Sequence, residues 1–222
     1  MRTLYHYPMD AFSRLVRIYL NERFLEHELV IEYPWARKKV TSEYPLPSDI
    51  PILIDKDGTI LEGWYAIIEY LEQIYKTKSF LGSSFREKSE TRRITQLFNI
   101  MFFIDVTKPI IFEKIIKKHM ENKAPDSSSI RKASANLKTY MNHITWLADH
   151  RNWLAGNDLT IADMSAAAQI SCIDYLGSIE WEQFPVVKEW YVRIKSRPSF
   201  RKILEDKVSD LPPSYNYANL DF

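Results

Sequence analysis

The sequence predicts two units, a small mixed α/β domain followed by an all-helical domain. Short β-branched and aromatic runs, each bounded by turn signals, are confined to the first third of the 222 residues. Beyond residue 86 the apolar residues recur at helical spacing, and no convincing strand pattern appears. The segment 76–85 between the two regions contains Gly82 and three serines, which is typical of a linker. We therefore expect domains at 1–76 and 86–205, with a C-terminal tail at 206–222.

The first region is predicted to be a thioredoxin-like domain with a mixed four-stranded sheet. Its predicted elements are a strand at 3–7, a helix at 13–24, strands at 28–32, 50–54 and 59–61, and a helix at 65–75. The helix at 13–24 is amphipathic, and the turn signal Asp57-Gly58 separates the last two strands as a hairpin. Strand, helix, strand, strand, strand, helix is the order of the thioredoxin-like topology.

The second region is predicted to contain only helices. Their predicted positions are 86–108, a following stretch to 123, 130–148, 160–176, 186–195 and 199–204. Pro109 should break or kink the first of them, because proline lacks an N–H and clashes with the preceding turn. Thr160 and Asp163 have the spacing of a capping box, so we assign both a structural role at a helix start.

The bulk composition limits the possible functions. Hydrophobic residues make up 45% of the chain, a normal share for a globular protein. The formal net charge of +1 argues against a nucleic-acid partner. The one cysteine, Cys172, excludes an internal disulfide, fits a reducing compartment and is expected to be buried. No targeting signal or apolar run of about 18 residues is visible, so we expect a cytoplasmic protein without a membrane span.

Four fragments, in this order and spacing, resemble the glutathione-transferase superfamily. They are LVRIYL (15–20), the Ile50-Pro51 step, AIIEYLEQIY (66–75) and WLAGNDLTIADMSAA (153–167). The resemblance spans the whole chain. It implies the glutathione-transferase fold, with a proline at Pro51 that is usually cis in the family.

A second set of fragments resembles one bacterial subgroup, the FtsZ-binding, glutathione-transferase-like division proteins, also called FzlA proteins. These fragments are PWARKK (34–39), RNWLAG (151–156), IDYLG (173–177), EWYVRIKSRPSFR (189–201) and the ending YANLDF (217–222). The ending is the most distinctive, because ordinary transferases have no reason to share it. The resemblance implies a homodimer that binds FtsZ filaments and supports constriction without a known need for glutathione.

The resemblance places the thiolate-stabilising group of serine- and cysteine-type transferases at Asp10, with Ser13 three residues later. A transferase holds glutathione as a thiolate, and a helix N-terminus with a hydroxyl donor lowers a thiol pKa from about 8.5. An ionised aspartate would repel that thiolate and cannot donate a hydrogen bond to it. Tyr5, Tyr7 and Ser13 remain as possible hydroxyl donors. The alternative is that Tyr5 and Tyr7 pack on the sheet and Ser13 caps the helix.

The resemblance also shows a change at the clamp for the γ-glutamyl group. In the family, the serine of a Glu/Gln-Ser pair and a helix N-terminus receive the carboxylate of the γ-glutamyl group. In this sequence Gly63-Trp64 corresponds to that pair. Tryptophan is bulky and has no acceptor, so we expect the pocket to be filled. Glu62 lies one residue before the position of the family's Glu/Gln. Pro51 is interpreted as a residue that serves the fold rather than glutathione binding. Glutathione is therefore expected to bind weakly and not to be a required cofactor, and efficient catalysis is not expected.

Two further segments are candidate partner surfaces. Trp35 lies just before Arg37, Lys38 and Lys39, and an exposed tryptophan beside basic residues is typical of a binding hot spot. The alternative is a Trp35 folded over its own sheet. The tail suits a docking peptide, the alternative being a strap packed on the helical domain. Its candidate docking residues are Tyr215, Tyr217, Leu220, Asp221 and Phe222.

Three hypotheses of function follow. The first is a non-catalytic, glutathione-transferase-like division protein that binds FtsZ filaments as a homodimer. The second is a glutathione transferase acting on small electrophiles, and the third is a structural domain serving another partner.

The predicted helix from residue 86 carries more apolar residues than one face needs, so some are expected at a dimer interface. These are Leu97, Phe98, Met101 and Phe102. No histidine or cysteine shows metal-ligand spacing, so no metal is expected.

Overall fold

The N-terminal domain has the predicted mixed four-stranded sheet. The structure is a computed structural model that describes residues 1–36, 49–75, 78–208 and 211–220. The elements of this domain are β1 (Arg2–His6), α1 (Ala11–Glu22), β2 (His27–Ile31), β3 (Ile52–Ile54), β4 (Ile60–Glu62) and α2 (Trp64–Ile74). The strand order is β2-β1-β3-β4, with β1 and β2 parallel and the other pairs antiparallel. The thioredoxin-like prediction is confirmed.

The C-terminal domain is built around one central helix. Its elements are α3 (Phe85–Glu121), α4 (Ser127–His150), α5 (Ile161–Tyr175), a 3₁₀ turn (Trp181–Gln183), α6 (Pro185–Lys195) and α7 (Pro198–Leu204). Every residue of α5 is buried. This helix packs against α3 on one side and against α1 of the first domain on another, so one core joins the two domains.

α3 passes through Pro109 without ending, so the predicted break is wrong. Its middle part, Leu97–Thr107, is a π-helix, in which hydrogen bonds span five residues rather than four. The N–H of Lys108 donates to the carbonyl of Phe103. Pro109 then lies in the first turn of the following α-helical segment, where a missing N–H is tolerated. The change of helix type lets the chain pass the proline.

α3 is also the one helix, among those of the described residues, that is long and apolar enough to cross a membrane. Its most apolar 18-residue window has a mean hydropathy of 1.3. Half of that window is buried inside the fold. A core helix of a globular domain has the same length and composition, because it must also bury an apolar face.

A buried charge network fixes α1 against the helical domain. Arg14 is fully buried and donates to the carbonyl of Pro8 at 2.6 Å and to Ser171 Oγ at 2.8 Å. One turn later, Arg17 forms a two-point ion pair with Asp206 at 2.6 and 2.8 Å. Such two-point pairs add geometric specificity as well as energy. The network therefore sets the orientation of α1, whose first turn carries the candidate site.

Candidate functional site

The first turn of α1 holds Asp10 at the predicted thiolate position. Asp10 is the N-cap of α1, and its Oδ2 accepts the N–H of Ser13 at 2.6 Å. Burial is the largest effect on Asp10 and raises the pKa of its carboxyl group to about 6. Hydrogen bonds from Ser13 and Phe12 lower this pKa, whereas the nearby charge of Asp49 raises it. The carboxyl group is therefore mostly ionised at pH 7. In that state it accepts hydrogen bonds and cannot donate one to a thiolate.

Two of the three hydroxyl candidates, Tyr7 and Ser13, are buried, and Tyr5 is half-buried in β1. Ser13 is fully buried, and its Oγ accepts the N–H of Tyr7 at 3.4 Å. The alternative that Ser13 caps α1 is wrong, because Asp10 takes that role. Tyr7 is 2% exposed and packs against the rings of Tyr33 and Trp35. Burial raises the pKa of Tyr7 above its usual range. The structure thus gives both side chains packing roles at the domain junction.

The predicted remnants of the glutathione site lie side by side. The Ile50–Pro51 peptide bond is cis, and the carbonyl of Pro51 accepts the N–H of Gly63 at 2.9 Å. Glu62 is the last residue of β4. Gly63 precedes α2 with a φ of +80°, a conformation that side chains other than glycine rarely adopt. The start of α2 accordingly has no side-chain cap.

An aromatic cluster covers the start of α2. The Trp64 ring lies nearly parallel to that of Phe12, with an interplanar angle of 13° and centroids 6.2 Å apart. Phe12 in turn packs on Phe103 of α3, with centroids 4.6 Å apart. The cluster joins α1, α2 and α3 at the position where the resemblance puts the γ-glutamyl clamp. By that resemblance, a bulky indole occupies the position at which a transferase would offer a serine hydroxyl.

Trp35 lies in an aromatic stack at the junction of the two domains. Its ring is nearly parallel to that of His119 in the last turn of α3, with centroids 4.2 Å apart and an interplanar angle of 11°. Tyr7 contacts the same indole edge-on at 5.5 Å, and Tyr33 lies at 5.2 Å. The prediction of an exposed Trp35 needs correction, because the side chain is half-buried. It packs both on its own domain and on the helical one.

The basic residues predicted to act with Trp35 are outside the part of the chain that the structure describes. They are Arg37, Lys38 and Lys39. Their role remains a prediction from the sequence.

The tail packs as a strap on the helical domain. Tyr217 is fully buried, with its ring 5.0 Å from that of Tyr175 and its hydroxyl 3.3 Å from the carbonyl of Ile203. The N–H of Ser214 donates to the carbonyl of Tyr175 at 2.8 Å. The buried ammonium of Lys195 donates to the carbonyl of Asn219 at 2.8 Å. The docking prediction is therefore wrong for Tyr217, which is a core residue.

The other predicted docking residues of the tail have different outcomes. Tyr215 is 99% exposed and Leu220 is half-buried. Asp221 and Phe222 lie beyond the described residues. The exposed Tyr215, on a strap held by its buried neighbour, is the described side chain that suits docking best.

The remaining predicted residues have structural positions. Thr160 caps α5, and the buried carboxylate of Asp163 accepts the N–H of Thr160 at 3.1 Å and that of Leu154 at 2.8 Å. Cys172 is fully buried, and burial raises its pKa to about 11. A thiol in that state is unreactive, because the thiolate is the nucleophile. Within the described ranges, no group of three His, Cys, Asp or Glu side chains could hold a metal ion.

Sequence reasoning missed Phe12, Phe103 and His119. Each of them contacts an aromatic side chain that is distant along the chain. Aromatic residues are common throughout this sequence, at 14% of the total, so their identity alone gave no signal. A prediction of these contacts would have required the packing of α1 and α3 at the domain junction.

Family comparisons cover most of the chain. Residues 4–79 match the model of the glutathione S-transferase N-terminal domain. Residues 108–207 match the model of the glutathione S-transferase C-terminal domain.

Three individual matches are similar to this chain over essentially their whole length. FtsZ-localized protein A from Caulobacter vibrioides is 35% identical over 225 residues, covering 100% of this chain and 98% of the relative. The solved structure of FzlA from C. crescentus has a TM-score of 0.94 and 35% identity, covering 100% of this chain and 99% of that one. A solved glutathione S-transferase from Rhodospirillum rubrum has a TM-score of 0.95 and 42% identity, covering 100% of both chains.

Proposed function

The chain belongs to the glutathione S-transferase family, and we propose that it is a non-catalytic division protein that binds FtsZ filaments. One observation carries the proposal: the 35% identity to FtsZ-localized protein A extends over the whole chain. The shared length includes the tail as well as both domains. Similarity of this extent goes beyond what a common fold requires, because a fold alone hosts many functions.

The chemistry of the altered glutathione site supports the non-catalytic part of the proposal. Asp10 adds negative charge where a thiolate would form, which disfavours that thiolate. Trp64 packs on Phe12 where the carboxylate of glutathione would be received. We expect a dissociation constant for glutathione of about 1 mM or weaker, which corresponds to about −4 kcal/mol.

A second candidate is a glutathione transferase that conjugates glutathione to small electrophiles. The 42% identity to the R. rubrum glutathione S-transferase favours it. Conjugation would need a hydroxyl that reaches the thiol, and two of the three candidates, Tyr7 and Ser13, are buried. This reading therefore ranks second.

The proposed functional unit is a homodimer. Two of the α3 residues predicted for the interface, Phe98 and Phe102, are fully buried in the chain's own core. Met101 is 53% exposed, and its neighbours Ile100 and Ile104 are 47% and 57% exposed. These three side chains leave an apolar stripe in solvent that a second copy would cover. A dimer would present each partner surface twice, and paired weak contacts gain affinity through avidity.

The proposal includes a cytoplasmic location without a membrane span. An FtsZ-binding protein must share the compartment of its filament. The apolar helix α3 has half of its most apolar window buried in its own domain, and the proposed dimer accounts for the exposed stripe.

Two assays on one preparation separate the candidates. The first measures co-sedimentation with FtsZ filaments, and the second measures turnover of a chlorinated aromatic substrate with glutathione. We expect co-sedimentation without turnover above the uncatalysed rate. Turnover without co-sedimentation would reverse the ranking, and micromolar binding of glutathione by calorimetry would contradict the account of the altered site.

A further inference from the structure

The last turn of α3 presents an exposed group of side chains beside the Trp35 stack. Lys118, His119 and Met120 follow one another on this turn and are all exposed, Met120 by 61%. From the other domain, Tyr33 lies 5.2 Å from the Trp35 ring and is 43% exposed. Tyr33, Trp35 and His119 therefore bring the two domains together at one surface. We call this surface, with the exposed neighbours of His119 along the helix, the junction platform (Tyr33, Trp35, Lys118, His119 and Met120).

Within the junction platform, Trp35 lies underneath His119. The two rings are 4.2 Å apart and nearly parallel, so the imidazole covers one face of the indole. Trp35 is half-buried whereas His119 is exposed. A protein that approaches from solvent would therefore meet His119 first, and Trp35 acts as the support that orients it.

The end of α3 is held in a defined position. Asn122 adopts a left-handed conformation with a φ of +50°, and its N–H donates to the carbonyl of Lys118 at 3.2 Å, which is a common way to end a helix. One turn earlier, Glu113 accepts the N–H of Asp126 at 2.7 Å and an ion pair from Lys117 at 2.8 Å. These contacts fix the platform before any partner binds, which lowers the entropic cost of association.

The charge of the platform is positive. Segment 113–123 contains four lysines and two glutamates. Lys117 pairs with Glu113 and Lys123 pairs with Glu121, whereas Lys118 has no ion pair with any residue that the structure describes.

From this geometry we infer that the junction platform binds an acidic segment of the partner protein that carries an apolar or aromatic side chain. The apolar side chain would pack on His119 and Met120, while Lys118 would face the acidic groups. An aromatic and methionine surface with one unpaired cation has the composition of an interface hot spot with a charged rim. The inference rests on the proposed function, since it names the surface that the FtsZ filament would contact.

The test uses the full-length protein and FtsZ filaments in co-sedimentation titrations at low and high salt. Lys118→Glu and Met120→Asp change exposed side chains, so both variants should keep the wild-type melting temperature. We expect each to weaken filament binding at least tenfold. The loss for Lys118→Glu should shrink as salt rises, because exposed charges are screened. His119→Ala should weaken binding while Trp35 stays in place.

Matched controls lie on α4, which contributes no residue to the platform. Lys132→Glu reverses the charge of another exposed lysine, and Trp146→Ala removes a tryptophan that is 52% exposed. Both should bind as the wild type does. Normal pelleting of the platform variants beside a pelleting wild type would overturn this inference alone. A wild type that does not pellet with FtsZ would overturn the proposed function and this inference with it.

Discussion

At the scale of single residues, Asp10 combines a structural role with a chemical one. Its carboxylate caps α1, and in the proposed account the same negative charge would oppose a thiolate. Burial raises the pKa of this group from 3.8 to about 6. The folded protein therefore holds the proton more tightly than the unfolded chain does, and the resulting stabilisation is complete below about pH 4 and lost as the pH rises through about 6.

Asp10→Asn should remove this pH dependence and keep the cap, since asparagine caps helices as well as aspartate. The variant should become more stable than the wild type as the pH rises from 4 to 7, by about 2 kcal/mol at pH 7. Urea unfolding at pH 4.5, 6 and 7.5 measures the difference. Asp158→Asn, at an exposed carboxylate, is the control and should follow the wild type. An equal pH profile in Asp10→Asn would show that Asp10 does not titrate near pH 6.

Trp35→Ala should both destabilise the protein and weaken filament binding. The sequence alone suggests an exposed side chain and a small stability effect. The observed stack on His119 and Tyr7 raises the expected cost to about 2 kcal/mol, because half-buried aromatic contact is lost. Thermal melts and co-sedimentation below the melting temperature measure the two effects. A variant of wild-type stability would contradict the stack, and a variant that folds and binds normally would exclude Trp35 from the surface.

At the scale of structural elements, the start of α5 depends on two residues that should contribute unequally to the stability of the protein. Thr160 supplies the cap, whereas Asp163 accepts hydrogen bonds from Leu154 and Trp190 in addition to those from Thr160. Thr160→Ala should cost about 1 kcal/mol, as for an ordinary cap. Asp163→Ala should cost about 3 kcal/mol or more, because it leaves several buried donors without an acceptor. Equal losses in urea unfolding would show that Asp163 acts only as a capping partner.

α3 is the element that should decide the oligomeric state. Ile104→Asp puts a charge into the exposed apolar stripe without touching the core, since Ile104 is 57% exposed. We expect the wild type to have about twice the 26.3 kDa mass of the chain in light scattering. The variant should have the mass of one chain and remain folded, with a melting temperature lowered by the loss of dimerisation. Met120→Asp is the matched control on the same helix and should remain dimeric. A monomeric wild type at micromolar concentration would contradict the dimer.

At the scale of the whole molecule, the sequence was sufficient for the architecture but not for the junction between the domains. Strand order and helix content follow from local periodicity and turn signals, which are properties of neighbouring residues. The Trp35–His119 stack and the burial of Tyr217 join segments that are distant along the chain. The predicted break at Pro109 is wrong because the preceding π-helix ends at Thr107, so that Pro109 lies in the first turn of a new α-helical segment.

The candidate site, like the overall fold, was only partly predictable from the sequence. Asp10 and Trp64 could be assigned from their positions relative to family motifs. The capping role of Asp10 rather than Ser13, and the support of Trp64 by Phe12 and Phe103, required the packing of three helices. The conclusion about weak glutathione chemistry thus combines residue identities from the sequence with contacts from the structure.

The central claim is that this glutathione-transferase fold binds FtsZ filaments without using glutathione. The most direct measurement is a co-sedimentation titration of the full-length protein against FtsZ assembled with GTP, with and without 5 mM glutathione. Because the expected dissociation constant is about 1 mM or weaker, this concentration is at most about five times that constant. The account predicts saturable pelleting that depends on FtsZ and is the same in both conditions. No pelleting above the level without FtsZ, or pelleting only when glutathione is present, would contradict it.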